Sequence, residues 1–333
     1  MLLITAIKNL EIIEPLGRGF QIREGLFITN DRSHIEKKFS KEARLMMGAN
    51  EFLDLLSSSA VAYLELSKEE ESENAANSGG LLNFWLFELF TFYQSLWLIK
   101  DNAVTNELAF CFFTHPVKRQ LVCTSNFLRS RPTTANGKTL SAKLSLSELR
   151  TAREYFLQLI PMTFYEAARE MVHEGSAPAA AMPFRQFKGT PRLPRLNYFL
   201  SGARSFEDMP IKIALYMTCF EILFSTTASE LTHKLSERVA FFLGQNAAER
   251  KAIFNTVKAA YAFRSKIIHG DEVEINEKLT CTVVEIDGLL RRIFLKILQE
   301  SETQTIFEKN KQDLEEYLTN LTLGVKPEDS STG

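Results

Sequence analysis

Hydrophobic and polar positions along the chain follow two rhythms, and the change between them falls near residue 140. Short apolar or alternating runs bounded by Gly, Asn, Asp or Pro predict strands over residues 2–7, 19–29, 60–66, 107–113 and 120–123. A 3.6-residue period predicts a helix over 41–56. Between them, 67–80 (SKEEESENAANSGG) lacks large apolar residues and ends in Gly-Gly, which reads as a surface loop. The most apolar stretch, 81–99, is long enough to raise the question of a membrane span. Its polar residues Asn83, Glu88, Thr91, Gln94 and Ser95 answer it, because at about 100° per residue they share one arc of roughly 140°. That pattern predicts a deeply packed amphipathic helix and no membrane partner.

Residues 129–143 (RSRPTTANGKTLSAK) are polar and punctuated by Pro and Gly, and mark the best domain boundary. Beyond them the pattern is helical. Ser145-x-x-Glu148 forms a capping box for a helix running towards His173, and a Pro- and basic-rich connection spans 175–204. Asp208 caps a helix through Phe224, Ser229 opens one that stops at Gly244, and Asn246-x-x-Glu249 opens one that stops at Gly270. Helices over 276–300 and 311–323 follow, and the ending KPEDSSTG should fray. The expected fold class is α+β. A small mixed α/β region (1–140) with a sensing or regulatory role precedes an all-α antiparallel helical bundle (141–323), and 324–333 is a flexible tail.

Composition narrows the function classes. At 333 residues, 45% hydrophobic and 24% charged, the chain reads as an ordinary globular protein of about two domains. Cys111, Cys123, Cys219 and Cys281 are scattered without metal-ligand or disulfide spacing, which fits a reducing, cytoplasmic setting, and the start shows no secretory signal. Phosphate-loop, dinucleotide, nucleophile-elbow and zinc-helix signatures are absent, so no cofactor and no metal is expected. The net charge of −2 argues against a nucleic-acid binder as a total, yet residues 108–206 hold 14 Lys and Arg against 5 Asp and Glu. There Phe110, Phe112, Phe113 and Phe127 interleave with basic positions, as a surface for single-stranded RNA requires, although core phenylalanines in solvated loops explain the pattern at least as well. The RNA-binding candidates are Lys118, Arg119, Arg129, Arg131, Arg185, Lys188, Arg192 and Arg195.

Of the five histidines, His34, His115, His173 and His233 stand among surface or loop residues. His269 differs. Along its helix Val257, Ala260, Tyr261 and Ile268 share an arc of about 100°, the expected buried stripe, and Arg264 projects into it. A guanidinium cannot be neutralised, so it must meet a buried acid, a subunit interface or an anionic ligand. His269 lies about 140° away, at a helix end marked by Gly270, where its ring is free to swing into a cleft. An anion clamp with a titratable imidazole one turn on is a minimal kit for phosphodiester chemistry. In 211–225 only Lys212 and Glu221 are charged, so Glu221 should be buried and paired, with Arg264, Lys234 and Arg238 all open as partners.

The segment from about 220 to 271, with K-L-S-E-R-V-A before a Gly-ended helix and then Y-x-x-R-S-x-x-x-H-G, resembles the HEPN superfamily and within it the ApeA-like HEPN domains. The likeness is strong over about 50 residues and extends by architecture over the helical half. It implies a metal-independent RNA endonuclease in which two bundles dimerise and bring both motifs into one cleft, cutting RNA through the substrate's own 2′-hydroxyl. Such proteins serve in antiviral defence or as toxins, and a protein trigger or regulatory partner is expected. Carried over, Arg264 holds the scissile phosphate and His269 moves a proton, with Ser265, Tyr261 and Glu221 in support. Ser265 stands where many members carry Asn, Asp or His. The alternative is a catalytically inactive HEPN module acting in dimerisation, RNA binding or a defence complex.

Overall fold

The computed structural model describes residues 1–127, 131–160, 163, 169–170, 190–226 and 231–325. They form an α+β protein, an antiparallel six-stranded sheet with its helices followed by a helical region. By contact the chain divides into two units, Met1–Pro132 with Thr139–Arg185, and Thr133–Lys138 with Gln186–Gly333.

The first unit runs β1 (Leu2–Lys8), β2 (Leu10–Ile12), β3 (Phe20–Arg23), β4 (Leu26–Thr29), α1 (Arg32–Glu36), α2 (Lys41–Met47), α3 (Ala49–Ser57) and β5 (Ala60–Glu65). It continues with α4 (Lys68–Asn74), α5 (Ser78–Ile99), β6 (Thr105–Thr114), β7 (Leu121–Phe127), β8 (Ala142–Leu144) and α6 (Leu146–Leu159). The sheet order is β3-β4-β5-β1-β6-β7, with Ile4 of the central β1 opposite Tyr63 on one side and Phe110 on the other, while β2 and β8 form a separate parallel pair. β1, β5 and β6 read as nearly continuous apolar runs because both sheet faces are covered. Leu3, Ala62 and Cys111 pack against Trp85, Leu89, Phe92 and Phe156 of α5 and α6. Ile4, Tyr63, Phe110 and Phe112 pack against Ile35, Phe39, Met47 and Leu55 of α1 to α3.

Several expectations change here. Residues 19–29 are a hairpin, with β3 and β4 joined through Glu24 and Gly25. The helix expected over 41–56 is two, broken at Gly48, whose φ of 97° a side chain rarely adopts. Within the expected loop 67–80, Ser67 and Glu70 close a reciprocal capping box on α4 and α5 already starts at Ser78. α5 is buried almost all round, and its polar arc is inside as well. Arg23 Nε donates to Glu88 Oε1 at 2.6 Å, and the Thr91 and Ser95 hydroxyls donate to the carbonyls of Phe87 and Phe92. Among the described residues no helix is long and apolar enough to cross a membrane. The helix opened by Ser145 belongs to the first unit, because Leu149, Ala152 and Phe156 complete the core over the sheet. The unit boundary therefore falls beyond residue 140. The expected course of that helix past Ile160, the start at Ser229 and the tail from residue 326 lie outside the described residues.

The second unit comprises α7 (Arg192–Ser205), α8 (Met209–Phe224), α9 (Leu231–Leu243), α10 (Ala247–His269), α11 (Glu277–Gln299), α12 (Ser301–Glu308) and α13 (Lys311–Leu323). Asp208 caps α8 by accepting from the Ile211 N–H at 3.0 Å. Ile213, Tyr216, Met217, Phe220 and Leu223 of α8 are fully buried, and α7, α9, α10 and α11 pack around it. Near its end Phe224, Phe242 and Phe307 meet edge to face, with ring centroids 5.3 to 5.7 Å apart. The fully buried Lys212 donates to Thr133 Oγ1 at 2.8 Å and to the Ala203 carbonyl at 2.9 Å, which holds the segment 133–138 in this unit.

Candidate active site

α10 carries both residues of the expected pair. Asn246 caps it by accepting from the Glu249 N–H at 3.0 Å, and Ile253, Val257 and Ala260 bury its core face. Past Ala260 nothing on the helix is fully buried: Tyr261, Arg264 and Ser265 are half-buried, while Lys266, Ile268 and His269 are exposed. The expectation that Tyr261 and Ile268 continue the buried stripe is corrected, most plainly by Ile268, which is 58% exposed. A helical wheel gives direction and not depth, and this helix of 23 residues, about 34 Å long, runs past the core that covers its first half.

The helix ends where the sequence places the stop. Gly270 has φ 80°, its N–H reaches the Ile267 carbonyl at 3.2 Å, and the Asp271 N–H reaches the Lys266 carbonyl at 2.9 Å. These two bonds are a Schellman closure, which a glycine at this position makes without steric cost. His269 therefore stands in the last turn, exposed to solvent.

Glu221 lies in the last turn of α8 and is half-buried. Of its three open partners the structure selects Arg264, whose Nη2 is 3.4 Å from Glu221 Oε1. That exceeds the 2.7 to 2.9 Å of a charge-assisted hydrogen bond. Both Glu221 Oε1 and Arg264 Nε are buried atoms without a hydrogen-bond partner. Burial pushes the Glu221 pKa above its ordinary value and Arg264 opposes the rise without cancelling it. The Arg264 guanidinium carbon lies 5.5 Å from the centroid of the Tyr261 ring. Burial, reinforced by the charge on Glu221, pushes the Tyr261 phenol up. Glu221, Tyr261 and Arg264 thus meet in one place, and Ser265 is half-buried on the same helix. His269 is five residues from Arg264 on the same helix, about 140° round and 7.5 Å along, so the two side chains leave the helix in different directions.

The other two partners open at the sequence level go elsewhere. Arg238 is nearly buried and forks both oxygens of Glu315 at 2.7 Å, while its other nitrogen donates to the Phe224 carbonyl at 2.8 Å and Thr226 Oγ1 at 3.0 Å. Lys234 adds its charge to the field at Glu315.

The described RNA-binding candidates divide between the units. Lys118 and Arg119 are exposed at the tip of the β6–β7 hairpin, where His115 Nδ1 accepts from the N–H groups of Val117 and Lys118. Arg131 is 78% exposed and 3.9 Å from Glu107. In the second unit Arg192 is committed to the fold: it donates from Nε to the Phe307 carbonyl at 3.0 Å and from Nη1 to the Ile222 carbonyl at 2.7 Å, capping the end of α8. Arg195 is half-buried with its Nε unpartnered. Arg129, Arg185 and Lys188 lie outside the described residues. The aromatic half of the RNA surface is corrected, because Phe110, Phe112 and Phe113 sit in the cores on the two sheet faces and only Phe127 is exposed.

Sequence reasoning missed the capping role of Arg192 and the Arg238–Glu315 fork. Neither has a local signal, since each joins residues more than 70 positions apart or packs against a distant helix end. Among the described residues no group of three or more His, Cys, Asp or Glu side chains could hold a metal ion. No family model matches the chain, and no curated protein or solved structure matches it.

Proposed function

We propose that the chain is a HEPN-type endoribonuclease, independent of metal, that cuts cellular RNA in the cytoplasm as an antiviral-defence or toxin effector. The observation that carries this reading is Arg264: a half-buried guanidinium with a buried, unpartnered Nε, held by one 3.4 Å contact, on the helix that ends in the exposed His269. In the reaction the substrate's 2′-oxygen attacks phosphorus, a 2′,3′-cyclic phosphate forms and the 5′-oxygen leaves with a proton. Arg264 would stabilise the charge growing on the phosphoryl oxygens, and His269 would take the 2′-proton or supply the one the leaving oxygen needs. Because the two side chains diverge by about 140° on one helix, the reading calls for a homodimer in which Arg264 and His269 of two copies share a cleft. Ile268, next to His269 on the helix, is 58% exposed and suits such a face.

The test is incubation of the full chain with total RNA, with and without a chelator, beside Arg264→Ala and His269→Ala. Cleavage by the wild type that survives chelation and is lost in both variants supports the assignment; equal cleavage by all three removes it. The Arg264–Glu221 ion pair favours a second reading, an inactive HEPN module whose arginine only ties α10 to α8. RNA retained without cleavage, with His269→Ala unchanged in binding and biological effect, identifies that case.

A further inference from the structure

We infer that the Glu221 carboxylate is an internal competitor for Arg264: in the resting chain it occupies the place at the guanidinium that a phosphate group takes. The inference rests on the nuclease reading for the identity of the phosphate, an RNA diester, but its geometry stands without it. The same unit holds a committed Arg–Glu pair for comparison. Arg238 and Glu315 close two contacts of 2.7 Å from one nitrogen, with Nη1 on a carbonyl and a hydroxyl. Arg264 and Glu221 reach only one contact of 3.4 Å, and the guanidinium keeps a buried, unpartnered Nε on the edge that it shares with Nη2. A phosphate offering two oxygens fills Nε and Nη2 together at 2.7 to 2.9 Å, the fork geometry that arginine is shaped for. The carboxylate here cannot do so while it stays on α8.

Displacement is feasible on both sides of the pair. The Tyr261 ring supports the guanidinium from within α10, so Arg264 keeps its position when Glu221 lets go. The charged and titratable groups that act on Glu221 and its partner are Arg264 and Tyr261, and burial holds the Glu221 pKa above its ordinary value.

The test reads anion affinity and not cleavage. Inorganic phosphate is titrated calorimetrically into the full-length wild type, Glu221→Gln, Glu221→Asp, Arg264→Ala and the Glu221→Gln/Arg264→Ala double variant. A competitor worth an ordinary half-exposed ion pair, once removed, should tighten phosphate binding about two- to fivefold. The expected result is that gain in Glu221→Gln, a smaller gain in Glu221→Asp, whose carboxylate is drawn back by one methylene, and no gain in the double variant. Unchanged or weaker binding in Glu221→Gln overturns the inference, as does a gain that persists without Arg264. Should Glu221→Gln fail to fold, Glu221→Asp alone decides by the same signs. The two readings fail separately. A chain that shows the gain and cuts no RNA refutes the nuclease and keeps the competitor, while one that cuts RNA through Arg264 with no gain does the reverse.

Discussion

Replacing Arg264 by alanine should abolish RNA cleavage while costing little stability, and the structure sets the margin. Its ion pair is a single 3.4 Å contact between side chains 25% and 19% exposed. Half-exposed pairs of this kind contribute about 0.2 to 1 kcal/mol. The guanidinium over the Tyr261 ring adds about 0.5 to 1 kcal/mol. The net loss should be about 1 kcal/mol. Arg238→Ala is the control, because that side chain is 6% exposed, forks Glu315 and satisfies the Phe224 carbonyl and Thr226. Glu315 itself is 37% exposed, so the cost is mainly that of the buried carbonyl and hydroxyl left unsatisfied, about 2 to 3 kcal/mol. Urea unfolding followed by circular dichroism measures both, and cleavage of total RNA is followed in parallel under folding conditions. Arg264→Ala should lose about 10²- to 10³-fold in rate, the scale of one donor removed from a developing oxyanion. If it instead loses as much stability as Arg238→Ala, with activity tracking the folded fraction, Arg264 is a structural tie and the reasoning fails; undiminished cleavage refutes it equally.

Gly270→Ala forces a side chain to φ 80° at the Schellman closure, where no neighbour crowds the added carbon, so the cost is strain alone, about 1 kcal/mol in the urea midpoint. For Glu315, burial raises the pKa but the Thr226 hydroxyl and Arg238 outweigh it and hold the acid below its ordinary 4.5. A carboxyl with a lower pKa folded than unfolded stabilises above the unfolded value and stops doing so as pH falls through the folded one, so wild type and Glu315→Gln should converge in stability at acid pH. Glu221, shifted the other way, should give the opposite slope: its contribution is present below 4.5 and lost as pH rises through the raised value, and Glu221→Gln should flatten that decline. Phe112→Ala should lower stability by about 3 to 5 kcal/mol, the loss expected for a buried ring facing α1 to α3, with no change in the salt dependence of RNA binding. A folded Phe112→Ala chain with weakened RNA binding would restore that ring to an RNA surface.

The class of the fold was legible because its signals are local. Short, nearly continuous apolar runs gave β1, β5 and β6, and Ser, Asp and Asn before a helical period gave the starts of α6, α8, α10 and α11. The misreadings have local causes too. Glu24-Gly25 turns a run of β-formers into a hairpin, and Gly48 divides a sequence whose helical period continues across it. α4 was missed because KEEESEN has no apolar face to read, although Ser67 and Glu70 are spaced as a capping box. What no local pattern carries is which unit a helix joins: α6 is amphipathic either way, and only the partners of Leu149 and Phe156 assign it to the sheet.

The site shows the same division more sharply. Gly270 fixed the position of His269 from sequence, because a C-cap depends on the residues around it. The partner of Glu221 stayed open among three cations, since pairing is decided by which helix faces come together. Arg238 is drawn off by Glu315 on α13, 77 positions away, and Arg264 is left with the poorer contact. That outcome bears on function. Had Glu221 gone to Arg238, both acids would compete for one guanidinium and Arg264 would project alone beside Tyr261. With Glu315 taking Arg238, α9 and α13 are tied by a committed pair that also satisfies the Phe224 carbonyl at the end of α8, and the longer contact falls on the only one of the three cations that shares a helix with His269. A fold that needed Arg264 only as a tie could close it as tightly as it closes Arg238. The slack contact, placed where α10 leaves its core, is what a site that must exchange one anion for another requires.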